Sequence, residues 1–167
     1  MATRVAFLSL LVLLGLSPLA VAQDFGPSEA ETLRSVESCI AAAGDEPRSC
    51  LGKATESCMA LPGAVSTMAT DACLETERAA WDTILNRNYQ AALKAAEEKD
   101  RELSANYETD IVSTLKSAQR AWIAYRDAEC DRVFAYWKDG TIRTSATLIC
   151  QRDLTGTRAI ELAETAG

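Results

Sequence analysis

The cysteines are the residues whose type and number most directly suggest chemistry. The 167-residue chain contains six cysteines and no histidine. Redox catalysis of the thioredoxin type and covalent haem attachment both need a C-x-x-C motif, which this sequence lacks. An all-cysteine zinc site needs ligand pairs about two to four residues apart, but the closest two cysteines have seven residues between them. We therefore predict no metal site and expect disulfides in an oxidising compartment.

The spacing of the cysteines around turn-forming residues predicts which of them pair. Cys130 and Cys150 each lie ten residues from Gly140. In an antiparallel helical hairpin that turns at this glycine, both would sit about 15 Å along their helices, in the register that a disulfide needs. The other cysteines straddle the breakers Gly44 to Pro47 and Pro62-Gly63 in the same way. The expected disulfides are Cys39 with Cys50, Cys58 with Cys73, and Cys130 with Cys150.

Carboxylate pairs are the remaining groups that could act in catalysis. Glycoside hydrolysis uses two carboxylates that flank the scissile bond, and the sequence contains Glu97-Glu98 and Asp127 close to Glu129. A solvated helix face is the simpler explanation of both clusters. Without histidine there is no Ser-His-Asp or Cys-His arrangement, and no phosphate-binding or dinucleotide-binding glycine motif occurs. We predict that the protein is not an enzyme, with no catalytic residue and no cofactor.

The N-terminal residues predict export. Arg4 precedes an apolar run from Val5 to Leu16 that is too short to span a bilayer, and Ala20-Val21-Ala22 fits a cleavage site. We expect residues 1–22 to be a cleaved signal peptide and residues 23–167 to form a single helical domain. The predicted location is periplasmic or secreted.

The charge of the mature chain restricts its partners. Without Arg4, 16 Lys and Arg stand against 24 Asp and Glu, which is a net charge of −8. This charge repels nucleic acid and anionic lipid and attracts a cationic protein. No later apolar run approaches the roughly 20 residues of a membrane helix, so we expect no membrane insertion. The expected partner is a protein, and the oligomeric state is left open.

The N-terminal half is predicted to contain three helices, of which the second is short and the third is long. Ser28 begins a capping box with Glu31, and Gly44 stops the first helix. Residues 48–60 are expected to form a short helix that Gly52 weakens. No Gly or Pro interrupts the chain from about Thr67 to Lys99, where one face carries recurring apolar residues. These are Trp81, Leu85, Tyr89, Ala92 and Ala96.

Two further helices are predicted after a charged turn at Glu97 to Glu102. The first ends at Asp139-Gly140, and the last runs from Thr141 to about Glu164 with Gly156 inside it. The first of them carries Ile111, Leu115, Ala118, Trp122 and Tyr125 at steps of four and three. Its distal half is expected to be covered on two sides, at Ile123, Cys130, Phe134 and Trp137. The predicted fold is all-α, a disulfide-stapled bundle or array of four to five helices, two or three of them long.

A pattern across residues 58–162 resembles the lysozyme inhibitor LprI family. It includes the run Ala118-Gln119-Arg120-Ala121-Trp122-Ile123 with Tyr125-Arg126-Asp127 and Cys130. The other motif residues are Trp81, Leu85, Asn86, Tyr89, Leu154, Thr155 and Arg158. Cys39 and Cys50 lie outside this shared core. The resemblance implies a small exported helical protein that inhibits lysozyme, a cationic enzyme, at the cell envelope.

Alternatives remain for the function and for the motif residues. An envelope interaction protein or stress-related scaffold with another partner fits the same residues, and a carboxylate-dependent glycosidase is the third hypothesis. The Trp122, Tyr125 and Arg126 group is either interhelical packing or an exposed recognition patch. For a partner contact we single out the acidic helix faces and the Asp139-Gly140-Thr141 turn, since the end of a disulfide-fixed hairpin is rigid enough to enter a cleft.

Overall fold

The computed structural model describes residues 25–166, which form five α-helices and one 3₁₀ turn. The predicted signal peptide, residues 1–22, lies outside the described residues. The helices are α1 (Glu29–Ala42), α2 (Lys53–Met59), α3 (Thr67–Leu103), α4 (Ile111–Tyr136) and α5 (Arg143–Ala166), and the 3₁₀ turn is Pro47–Cys50. The described part of the chain contains no strand. The prediction of an all-α fold of four to five helices is confirmed.

Helix α1 begins and ends where the sequence predicts. The Ser28 hydroxyl accepts a hydrogen bond from the Glu31 N–H, and the Glu31 carboxylate accepts one from the Ser28 N–H at 2.9 Å. Gly44 follows the C-cap with a φ of +55°, a conformation that favours glycine. Residues 48–60 are not one helix, because the chain breaks at Gly52, whose φ is +87°. The 3₁₀ turn lies before this glycine and α2 begins directly after it.

The core is centred on α3 and α5, which run in the same direction. Ser145 donates a hydrogen bond to Asp71 near the start of both helices, and Asn88 donates to the Ala159 carbonyl further along. Trp81 is completely buried between them and is the largest side chain of the core. Helix α1 and the 3₁₀ turn add Val36 and Cys50 to the same cluster. The predicted α3 face is therefore buried, with Tyr89 partly exposed.

Helix α3 continues through the segment predicted to be a turn. Glu97 to Glu102 is helical, and the chain turns after Leu103 instead. One charged residue of this segment, Asp100, has a capping role. Its carboxylate accepts hydrogen bonds from the N–H groups of Ile111 and Val112, each at 3.1 Å. These contacts, the Val112 one foremost, lower the pKa of Asp100. Asp100 thus lies in α3 and caps the N-terminus of α4.

Helix α4 packs antiparallel to α5 but is covered on one side only. The Cys130–Cys150 disulfide joins the two helices, and Gln119 lies opposite Arg158. Only Gln119 and Cys130 of α4 are fully buried, whereas Tyr125, Ile123, Phe134 and Trp137 are 40% exposed or more. The prediction of a distal half covered on two sides is wrong. The reason is that α4 contacts α3 and α5 with one face, and no other described element lies against its outer side.

Three disulfides staple the helices with the pairing that the cysteine spacing predicts. They are Cys39–Cys50, Cys58–Cys73 and Cys130–Cys150, with Cα–Cα distances of 5.8, 5.7 and 5.6 Å. The part of the chain that the structure describes has no free cysteine. It also has no helix that is both long and apolar enough to cross a membrane.

Replacing Cys130 and Cys150 together with serine is expected to lower the free energy of unfolding by about 2–4 kcal/mol, the usual range for a structural disulfide. The bridge closes a loop across a sequence separation of 20 residues, and its loss enlarges the unfolded ensemble. Urea denaturation followed by circular dichroism measures this change. The helical signal before the transition should stay close to that of the parent protein; an unchanged midpoint would contradict the role of the staple.

Candidate functional site

Six of the motif residues meet in a groove between α3 and α4. Helix α3 contributes Leu85, Asn86 and Tyr89, and α4 contributes Gln119, Trp122 and Arg126. The groove, which we call the motif groove, has a volume of about 240 Å³. The sequence pattern therefore marks residues that the fold brings together, although they are about 30 positions apart in the chain.

The α4 side of the motif groove is held by polar and cation–π contacts. Arg158 of α5 donates from Nε to the Gln119 side-chain oxygen at 3.1 Å, which satisfies a buried amide. The Arg126 guanidinium lies 5.2 Å from the ring centroid of Trp122, within the range of a cation–π interaction. Arg126 also pairs with Asp127 at 2.8 Å. The Arg158–Gln119 contact joins α5 to α4, and the two contacts of Arg126 orient its side chain along α4.

The other motif residues lie apart from this groove. Trp81 and Thr155 are in the core, where the Thr155 hydroxyl has no hydrogen-bond partner among the described residues. Leu154 is partly buried, and Asp127 is exposed beside Arg126. Tyr125 is 56% exposed and is the most accessible of the Trp122, Tyr125 and Arg126 group, whose other two members are half-buried in the groove.

The Asp139-Gly140-Thr141 turn projects between α4 and α5, and we call it the tip. A shallow pocket of about 360 Å³ lies beside it, lined also by Thr67 at the start of α3. The Arg143 guanidinium donates to the Lys138 carbonyl at 3.0 Å and holds the turn. Large exposed apolar side chains flank the tip. They are Met68, Tyr136, Trp137 and Ile142.

A larger groove, which sequence reasoning missed, lies at the opposite end of α4. Its volume is about 730 Å³. We call it the acidic groove and define it by its apolar floor and its charged edge. The floor is formed by Ala92, Ala95, Ala96, Ile111, Leu115 and Leu162, and the edge by Glu98, Lys99, Glu102, Asp110 and Arg158. The sequence signal for it was the alanine pairs of α3 immediately before a run of carboxylates.

Glu77 and Gly156 are structural residues that the sequence analysis did not identify. Glu77 is fully buried and accepts hydrogen bonds from the N–H groups of Gly52 and Thr55 and from the Trp81 indole. Its position midway between Cys73 and Trp81, four residues from each, places a carboxylate on the buried face of α3 and could have revealed it. Gly156 lies against the Trp81 ring.

The two carboxylate clusters of the sequence have different surroundings. Glu97 and Glu98 are exposed on α3, with Glu98 at the edge of the acidic groove, and Asp127 is paired with Arg126. Glu129 is paired with Arg132, whose hydrogen bond lowers the pKa of Glu129. A general acid needs the opposite shift, because it must carry its proton near neutral pH. Within residues 25–166 no group of three or more His, Cys, Asp or Glu side chains could hold a metal ion.

Comparison with known proteins agrees with the sequence pattern. The sequence model of the family described as "Lysozyme inhibitor LprI" matches residues 58–162, which is well over half of the chain. An uncharacterized protein of Rhizobium meliloti (strain 1021) is 35% identical over 104 residues, which cover 60% of this chain and 74% of that protein. The uncharacterized protein YecT of Escherichia coli (strain K12) is 33% identical over 63 residues, 38% of this chain and 39% of that one. No solved structure matches. The chain is thus a member of the lysozyme inhibitor LprI family.

Proposed function

We propose that this protein is a periplasmic inhibitor of lysozyme that acts by binding the enzyme and catalyses no reaction itself. The observation that carries the proposal is the family match over residues 58–162, the part of the chain that forms α3, α4 and α5. The carboxylate clusters support a binding role, because they lie on helix surfaces, where Asp127 and Glu129 are paired with arginines and Glu97 and Glu98 are exposed.

Export is part of this proposal. Three disulfides form and persist in an oxidising compartment such as the periplasm, where lysozyme attacks the cell wall. The expected signal peptide at residues 1–22 would deliver the chain there. The net charge of −7 for the whole chain favours encounter with a cationic enzyme and makes the association sensitive to salt.

The test is the turnover of cell-wall substrate by a cationic lysozyme in the presence of increasing amounts of the oxidised protein. We expect saturable inhibition that weakens when the salt concentration rises from about 0.05 to 0.3 M, because screening shortens the range of the attraction. Reduced protein is the control for the disulfide-dependent fold. No inhibition at micromolar protein would reject the proposal and favour the alternative, an envelope interaction or scaffold protein with another partner.

The tip is the contact that we propose from its shape. Replacing Asp139 with alanine is expected to weaken inhibition about tenfold, since a charged side chain at the centre of an interface often accounts for more than 1 kcal/mol. The measurement is the inhibition constant. Asp131→Ala is the matched control, because Asp131 is also an exposed aspartate near the end of α4 and its side chain forms no hydrogen bond with another described residue. Equal constants for both variants would exclude Asp139 as a contact and leave the function open.

A further inference from the structure

The acidic groove combines an apolar floor with an edge of three carboxylates and two cationic side chains, and it lies beside a strongly acidic segment. Residues 97–110 contain six carboxylates and two cationic side chains, so this segment has a net charge of −4 out of −7 for the whole chain. At the other end of α4, residues 131–144 contain two carboxylates and three cationic side chains, a net charge of +1. The charge of these two segments therefore differs between the ends of α4, and the acidic end adds most to the attraction of a cationic protein.

The cationic groups of the groove are already paired, whereas two of its carboxylates are not. Lys99 donates to Glu102 at 3.1 Å, and Arg158 is engaged by Gln119 and Glu161. Glu98 and Asp110 are exposed and form no side-chain hydrogen bond or ion pair with another described residue. These two carboxylates are the groups available to an incoming Lys or Arg.

The floor of the groove offers contact area for an apolar side chain. Ala92 and Ala96 are buried at its base, and the half-buried Ala95 leaves space above α3, because its side chain is a single methyl group. Leu115 is half-buried and faces the same space, above the buried Leu162. The volume of about 730 Å³ lies within the usual range of about 300–1,000 Å³ for ligand pockets, which is enough for several side chains of a partner.

We propose that the acidic groove is the docking site for a basic segment of the protein partner, with an apolar side chain on the alanine floor and flanking Lys or Arg side chains at Glu98 and Asp110. The identity of the partner rests on the proposed function, which supplies a cationic protein. The groove and the tip lie at opposite ends of α4, so variants of the two surfaces test separate contacts.

The first test removes the charge and leaves the shape intact. Glu98→Gln with Asp110→Asn should weaken the binding of a cationic lysozyme about threefold to tenfold at low salt and less at high salt, since charges at an interface edge act mainly through the rate of association. Asn still suits the N-cap position of α4. The matched control is Glu29→Gln with Asp131→Asn, which removes the same two charges from exposed positions outside the groove. An equal loss of affinity in both double variants would show that only net charge matters and would overturn the proposed docking site.

The second test fills the groove without changing the charge. Ala95→Phe places a ring over the floor and should weaken binding more than about tenfold, because the partner's apolar side chain loses its space. Ala91→Phe is the matched control, as Ala91 is an exposed alanine on the same helix and does not line the groove. Circular dichroism checks that both variants keep the helical fold. Equal affinity for the Ala95 and Ala91 variants would overturn the proposal.

A peptide probe separates failure of the groove from failure of the lysozyme assignment. We would titrate the parent protein with a synthetic 15-residue amphipathic peptide of leucine and lysine, and with the corresponding peptide of leucine and glutamate. If lysozyme is neither bound nor inhibited, the proposed function fails. Binding of the lysine peptide that the Ala95→Phe variant loses would then still support the groove. No preference for the lysine peptide would overturn it.

Discussion

Replacing Glu77 with alanine is expected to lower the free energy of unfolding by about 3 kcal/mol or more, which is a large part of the stability of a domain of this size. The carboxylate is fully buried and accepts hydrogen bonds from Gly52 N–H at 2.8 Å, Thr55 N–H at 2.7 Å and Trp81 Nε1 at 3.1 Å. Its removal leaves three buried donors without a partner and opens a cavity, and each unsatisfied donor costs about 1–3 kcal/mol.

The arrangement explains why a carboxylate lies inside an apolar core. Gly52 and Thr55 are at the N-terminus of α2, where backbone N–H groups have no partner within the helix. Glu77 on α3 satisfies two of them and attaches α2 to α3 independently of the Cys58–Cys73 disulfide. Loss of Glu77 should therefore loosen α2 first, and hydrogen exchange of the amides of Gly52 and Thr55 should accelerate most.

Glu75→Ala is the control for this prediction. Glu75 lies two residues earlier on α3, is exposed, and pairs with Arg78, so its removal should cost less than about 1 kcal/mol. Urea denaturation of the oxidised proteins provides both values. Similar losses for Glu75→Ala and Glu77→Ala would mean that the buried contacts do not hold α2.

Replacing Gly156 with alanine is expected to destabilise the protein by about 2 kcal/mol, although alanine is intrinsically the better helix former by about 1 kcal/mol. A Cβ atom at this position would lie 2.9 Å and 3.1 Å from two ring atoms of Trp81, and closer still to Leu51. The end of Leu51 can move, but Trp81 is completely buried and its indole is held by Glu77. The clash must therefore separate α5 from α3.

Leu51→Ala distinguishes the two neighbours. In a double-mutant cycle it should relieve only a small part of the loss caused by Gly156→Ala, because the Trp81 contact remains. Thermal or urea denaturation gives the four stabilities. A Gly156→Ala variant that is more stable than the parent by about 1 kcal/mol would show that helix propensity dominates and that the α3–α5 contact at this point is loose.

Much of the fold follows from local sequence patterns. The capping box at Ser28, the absence of breakers across α3 and the glycines at 44 and 140 predict where helices begin and end, because these effects act between residues close in the chain. The spacing of cysteines about those breakers predicts the three disulfides for the same reason. Asp100 shows where local patterns fail. They predict a turn at this residue, because the N–H groups that it caps come 11 and 12 positions later in the chain.

The surfaces could not be predicted in this way. The α4 pattern predicts a covered distal half and leaves Tyr125 open, but the exposure of a helix face depends on how many neighbours the helix has. The motif residues of α3 and α4 were recognised as a pattern, yet only their packing shows that Asn86, Trp122 and Arg126 share one groove. The acidic groove needs three helices to form, and no single segment reveals it.

The sequence alone determined the helical class, the disulfide pairing, the family and the acidic character, because each depends on composition or on spacing along the chain. Only the tertiary structure decided that Glu77 caps α2 and that Gly156 leaves room for the Trp81 ring. It also decided that carboxylates of residues 97–110 lie at the edge of an apolar groove. These features join residues from different helices, and the distances between helices are set by the packing of the whole core.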